Sequence, residues 1–557
     1  MKIRDIDSIK RSWNCCRNSV LFALVVILLQ MTQSVVAQQN VALCPEKPKL
    51  VLMLVVDNLN NQQMDIVRTQ CGSKGFNRIY GYGTQLTDAY YDAGGNFAGK
   101  NLATLFTGAP PATHGIVGRQ WIDSFTGKMV DAIYGDVPQS GRFDTLAKPH
   151  NGALLCNTVA NQIRKIYNDK AKIFSIGFDP QMLVWTSGTL AGEPIAWLDQ
   201  RTGRVLTANV QDPKTTQWIG EFNQKGMVET ALQKVWAPSK DINAYHQVRF
   251  FGQDQTENFY YPLNSPSNNK HYRYEALCGS PMGNSILRDL AASTIAFEEM
   301  GKDDIPDLLM VQFCTTPSVG QRKQPMDPET EDLLLCLDEN IASLLQMIDG
   351  TVGMDNTLVI FTSARGAYDV ANTDSPQWAE RGVVSLRRAT ALLNLYLMAM
   401  HGQAAWVKSY TSGSVYLDKD LAKQKGVNYD SLLSESAEFL VQVKGIGDAF
   451  PARDLKTIST NTPVIETLRK NYHPKRSGDL LVYYEPGWAE EQDDGTKLTQ
   501  LWGGEFVPLV FYGWKVGTGI VYERHNMVDL APTLCSFIKV GLPDGCSGVP
   551  IPMGVAH

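Results

Sequence analysis

An apolar run, Leu50 to Val56, ends in a carboxylate, Asp57. Ligands of open α/β sheets bind beyond the carboxyl ends of the strands, so Asp57 stands where chemistry is expected. A second segment, from Gly94 to Trp121, reads as a loop, a helix and a Pro/Gly turn. It carries Lys100, Thr104, Thr107, His114 and Arg119. Lys100 lies near a helix N-terminus, a position that favours anions. Thr104 and Thr107 fall on the body and end of that helix and read as structural hydroxyls. Gly94-Gly95-Asn96 lacks the Lys-Ser/Thr of a phosphate-cradling loop. The histidines show no HxxxH or DxxxH spacing, so no metal centre is expected from spacing alone.

The elements that must hold these residues alternate between strand and helix. Leu50–Val56 is apolar throughout, as in a parallel strand covered on both faces. Lys172–Phe178, Leu308–Phe313 and Thr357–Thr362 repeat the pattern, and Asp479–Tyr484 and Val507–Tyr512 complete it. Asp327-Pro328-Glu329 opens a helix expected to run to about Ile348, closed by Gly350. The alternation predicts a three-layer α/β/α sandwich around a mostly parallel sheet. Insertions are expected near 190–275 and 405–475.

The 557 residues suffice for one large α/β domain, and a net charge of −6 argues against a nucleic-acid partner. Residues 1–37 read as a signal peptide: five basic residues, the apolar core Val20 to Met31, and Val35-Val36-Ala37 before Gln38. The mature domain is then 38–557, without a transmembrane span. Export to the periplasm or cell envelope of a Gram-negative-type bacterium is expected. Export permits disulfides. Cys535 and Cys546 are close enough in sequence to bridge a C-terminal loop, whereas Cys314 and Cys336 read as core thiols.

Nine stretches, in order, resemble the alkaline phosphatase superfamily, in particular its periplasmic phosphate-monoesterase branch related to type I phosphodiesterase/nucleotide pyrophosphatases. They are LVLMLVVDN around Asp57, GFNRIYGYGT (75–84), LATLFTGAPPATHGIVGRQW (102–121), EPIAWLDQRTGRVLT (193–207), DLLMVQF (307–313), LVIFTSARG (358–366), RSGDLLVYYEPGW (476–488), GEFVPLVFYG (504–513) and MVDLAPTLCSFIKVGLP (527–543). The resemblance implies a Thr or Ser nucleophile at a helix N-terminus and two zinc ions held by Asp and His. It also implies Asn, Lys and Arg side chains on the phosphate oxygens.

Carried over residue by residue, the resemblance keeps the first metal carboxylate at Asp57. The nucleophile position falls on Ala98 and the phosphate-holding Asn on Arg119. The Lys-x-Arg pair falls on Phe178 and Pro180, with Asp179 between them as a turn residue. The Asp-x-x-x-His pair falls on Pro317 and Gln321, the Asp-His dyad on Ala364 and Arg365, and the last His on Phe506.

The expectation is therefore an exported pseudophosphatase, without catalytic residues, bound metal or cofactor. It would act as a binding or scaffolding component with an envelope protein partner. Lys100, Arg119 and Arg365 could still hold a small anionic ligand. The alternative is an active phosphoester or sulfate-ester hydrolase with a rearranged site. A third expectation concerns charge: Arg365, with Arg119, should neutralise Asp57 where a cation once did.

Overall fold

In the computed structural model, the described residues are 46–553 except 93–96, 139–146, 169, 187–193, 247–258, 266–271, 320–325, 367–381, 412, 493–496 and 500–503. The expected signal peptide, Gly94-Gly95-Asn96 and Gln321 lie outside them. Residues 47–557 cluster as one compact unit.

The central sheet is built from β1 (Leu50–Val56), β2 (Thr84–Tyr91), β3 (Ile173–Gly177), β4 (Ile195–Leu198), β5 (Val205–Ala208), β6 (Asp307–Phe313), β7 (Thr357–Ser363), β8 (Glu505–Gly513), β9 (Gly519–Val521) and β10 (His525–Asn526). Its order is β9-β2-β8-β7-β1-β6-β3-β4-β5, with β10 also on β2. β1 pairs in parallel with both β6 and β7, so Val56 lies level with Phe313 and Ser363. β8 runs antiparallel between β7 and β2. Its first residues, Glu505 and Phe506, therefore reach the rim where β1, β6 and β7 end. The sheet is mostly parallel and has helices on both faces, as the alternation of elements predicts.

β1, β6 and β7 are buried at every position. That explains why they read as unbroken apolar runs rather than alternating ones. Six helices matter below: α1 (Ala98–Thr107), α2 (Pro180–Leu183), α3 (Pro328–Thr351), α4 (Leu386–His401), α5 (Tyr429–Val441) and α6 (Leu530–Ile538). α1 ends at Gly108 in the left-handed region (φ 65°), and the Pro111 turn follows. α3 starts with Pro328 as expected but runs past Gly350 to Thr351. One glycine in a helix costs only about 1 kcal/mol, which the buried stripe of Leu334, Leu337, Ile341, Leu344, Leu345 and Ile348 easily outweighs.

Residues 195–208 belong to the central sheet as β4 and β5; helices at Pro213–Gln224 and Met227–Leu232 follow them. A second lobe contains α4, α5 and a four-stranded sheet at 407–411, 414–417, 480–484 and 446–451. It has its own core around Leu393, Leu397, Trp406, Leu432 and Leu440. Cys535 and Cys546 are both free, correcting the expected bridge. The Cys546 thiol is directed at Gly108, where an added Cβ would lie 2.6 Å from its sulfur.

Leu54 of β1 is fully buried between β6 and β7. Leu54→Ala should lower stability by about 2–5 kcal/mol, read as a shift of the urea midpoint by circular dichroism.

Candidate functional site

Parallel strands deliver their last residues to one rim. β1 supplies Asp57, β3 Phe178 and Asp179, β6 Cys314 and Thr315, β7 Ala364 and Arg365, and β8 Glu505 and Phe506. The start of α1 faces the same rim through Asn101, whose amide donates to the Ala364 carbonyl (2.9 Å) and to Glu505 Oε2 (3.0 Å).

Asp57 does not meet an arginine. Its Oδ1 accepts the Thr315 N–H (2.7 Å) and hydroxyl (2.5 Å), and Cys314 Sγ lies 4.0 Å from Oδ2. Among the described residues no ion pair includes Asp57, which corrects the expected pairing with Arg365 or Arg119. The reason is competition. Arg119 Nε lies 4.0 Å from Asp131, and the Arg365 charge acts on Glu505 and Asp179.

Glu505 is the buried acid that sequence reasoning missed. It is 3% exposed, and Oε1 accepts the Gly366 N–H at 3.0 Å. Burial pushes its carboxyl up to about 7, against the opposing pull of Arg365, Asn101, Gly366 and Lys100. Lys100 is 7% exposed and donates to Asn471 Oδ1 at 3.0 Å. Burial holds its ammonium down to about 8, with Glu505 pulling the other way. The only local signal for this pair was a Glu opening an otherwise apolar strand.

Ala98 begins α1 and offers no hydroxyl. Phe97 precedes it and meets Trp185 edge-on, with ring centroids 6.4 Å apart. The rings press on the helix: a Cβ at Gly99 would lie 2.4 Å from Phe97 and 2.7 Å from Trp185 Nε1. Phe178 is buried and its N–H donates to Gln312. Pro180 is the first residue of α2, and Asp179 caps it by accepting the Gln181 N–H at 2.9 Å. Burial raises the Asp179 carboxyl, opposed by that N–H and by Arg119 and Arg365. Pro317 and Ala364 are buried. Phe506 packs 5.9 Å from Tyr90, with the Arg524 guanidinium over both rings.

The charges of Lys100 and Arg365 both act on Glu505, and those of Arg119 and Arg365 both act on Asp179. Thr107 donates back to Ala103 O, as a structural hydroxyl does. His114 Nδ1 accepts the Ile116 N–H, so its Nε2–H donates to Thr104. Burial, then Lys100 and Arg476, pushes His114 down to about 3, which keeps it neutral.

A mostly parallel sheet with a rim of this kind defines an alkaline-phosphatase-like α/β protein. The chain superposes on the crystal structure of wild-type alkaline phosphatase PafA with a TM-score of 0.80 and 23% identity, covering 91% of this chain and 98% of that one. Residues 51–506 match the type I phosphodiesterase / nucleotide pyrophosphatase model, and the chain belongs to that family, within the alkaline phosphatase superfamily. It is 26% identical over 521 residues to a protein of Myroides odoratus named calcium-transporting ATPase (91% of this chain, 94% of that one). It is 25% identical over 523 residues to alkaline phosphatase PafA of Elizabethkingia meningoseptica, with the same coverage.

Glu505 holds its proton better in the fold than in the unfolded chain. Its contribution to stability is complete below about pH 4.5 and is lost as the pH rises through about 7. Lys100 has the opposite sense: its depressed ammonium favours the fold above about pH 10.5 and works against it as the pH falls through about 8. Glu505→Gln should therefore flatten the fall in melting temperature between about pH 4.5 and 7. An unchanged slope would assign that fall to other groups.

Proposed function

We propose that this chain is an exported, non-hydrolytic member of its family: a pseudophosphatase whose fold serves as a binding or scaffolding component of the cell envelope. The observation that carries the reading is the rim itself. The helix start that would present a nucleophile presents Ala98, next to the Phe97–Trp185 pair that presses on Gly99, and Asp57 is bound to Thr315. The donors do not suit two zinc ions. A backbone N–H, a hydroxyl and a distant thiol surround Asp57, and no group of three or more His, Cys, Asp or Glu among the described residues is placed to hold a metal. Export is supported by the basic and apolar N-terminal segment. Among the described residues no helix is long and apolar enough to cross a membrane.

The second reading, a phosphoester or sulfate-ester hydrolase with a rearranged site, draws on one observation. Lys100 and Glu505 are a buried pair shifted toward neutral pH beside the start of α1, and such pairs occur at working sites. Structural networks shift groups in the same way, and here Asn101, Gly366 and Asn471 already occupy both side chains.

Purified protein should contain no stoichiometric zinc by elemental analysis and should not turn over p-nitrophenyl phosphate or p-nitrophenyl sulfate, with or without added zinc. Zinc-dependent hydrolysis above a denatured control would establish the second reading instead. Because the charges of Lys100, Arg119 and Arg365 already act on Glu505 and Asp179, phosphate and sulfate should give no saturable heat below millimolar concentration in calorimetry. Submicromolar binding that is lost in Arg365→Gln would restore the rim as an anion site.

A further inference from the structure

The outer face of α4 is apolar and uncovered. Leu386, Ala389, Leu393 and Leu397 turn inward to the core of the second lobe. Leu392 and Leu395 nevertheless stand 53% and 61% exposed, with Ala391 and Ala399 exposed beside them. At spacings of three and four residues these positions form one stripe down the helix. The flank is fixed by α5, through the stacked rings of Tyr396 and Phe439 (4.8 Å) and the His401–Glu435 contact (2.7 Å).

The stripe is symmetric about Leu395. Four residues to either side stand Ala391 and Ala399, both exposed, and three to either side stand the exposed Leu392 and Met398, which is half-buried against the core of the lobe. Seven before it is Arg388, and seven after it is Gly402, which closes the helix with φ 93° and open space around it. A two-fold contact between antiparallel copies of α4 would set each residue before Leu395 against the one equally far after it. Small side chains would then meet small ones and long apolar ones would meet long apolar ones. Isologous interfaces require this self-complementarity.

Charge points to the same partner. Arg387 and Arg388 lie in the first turn of α4, where the helix dipole disfavours cations, and no acidic residue shares that turn. Both are exposed, and among the described residues neither is in an ion pair. In the antiparallel pair they would lie over the carbonyl end of the facing helix, where the dipole favours them.

We propose that this face joins two copies of the chain in a two-fold dimer centred on Leu395. The proposal does not depend on whether the rim is catalytic. A 16-residue helix is about 24 Å long. A contact of that length lies at the small end of specific interfaces, so the dimer should be of micromolar affinity.

Sedimentation equilibrium of the exported chain, as purified from its expressing cells, tests this. Wild type should show a reversible monomer–dimer equilibrium. Leu395→Glu should be monomeric at the same concentrations with an unchanged melting temperature, and Arg388→Glu should weaken association by about tenfold or more. Should Leu395→Glu fold poorly, Leu392→Lys reports on the same face. A wild-type chain that stays monomeric at about 0.1 mM would overturn the proposal. So would a folded Leu395→Glu or Leu392→Lys chain that still dimerises. Monomeric wild type that floats with anionic vesicles, and loses flotation in Leu395→Glu, would assign the face to a membrane instead.

Discussion

Carboxylates gathered at the ends of parallel strands repel one another unless a cation or several hydrogen-bond donors meet each of them. At this rim the requirement is met piecemeal. Thr315 serves Asp57 with an N–H and a hydroxyl. The Gln181 N–H serves Asp179, and Asn101 with the Gly366 N–H serves Glu505. The arginine expected to face Asp57 acts instead on the other two carboxylates. The surrounding architecture follows from this arrangement. α1 is tied to β7 and β8 through Asn101, and β6 to β1 through Thr315, by bonds whose loss would strand a buried charge.

The sheet was legible because its central strands are buried on both faces. β1, β6 and β7 advertise themselves as apolar runs, and their ends locate the rim without any further knowledge. Helix starts were legible where proline and a capping carboxylate coincide, as at Asp327-Pro328. The stop at Gly350 was misread because a local propensity of about 1 kcal/mol was weighed without the burial of the α3 stripe. Side-chain partners were less legible. Arg365 is near Asp57 in strand order, yet which carboxylate it faces is decided by Glu505, brought in by an antiparallel strand from far along the chain. Nothing local in the sequence sets that competition.

The apolar side chains at the rim work together rather than singly. Phe97 and Trp185 press on the start of α1, Phe178 is buried at the end of β3, and Phe506 joins Tyr90 under Arg524. Aromatic rings now line much of the rim. Each such ring removes a large apolar surface from water, which stabilises the packing at the ends of these strands.

Gly99 gives this packing a practical meaning. Its missing side chain leaves the space that Phe97 and Trp185 fill, both within 2.7 Å of where a Cβ would stand. A side chain added there would have to displace those rings, so any redesign of the start of α1 has to begin with the rings and not with the helix.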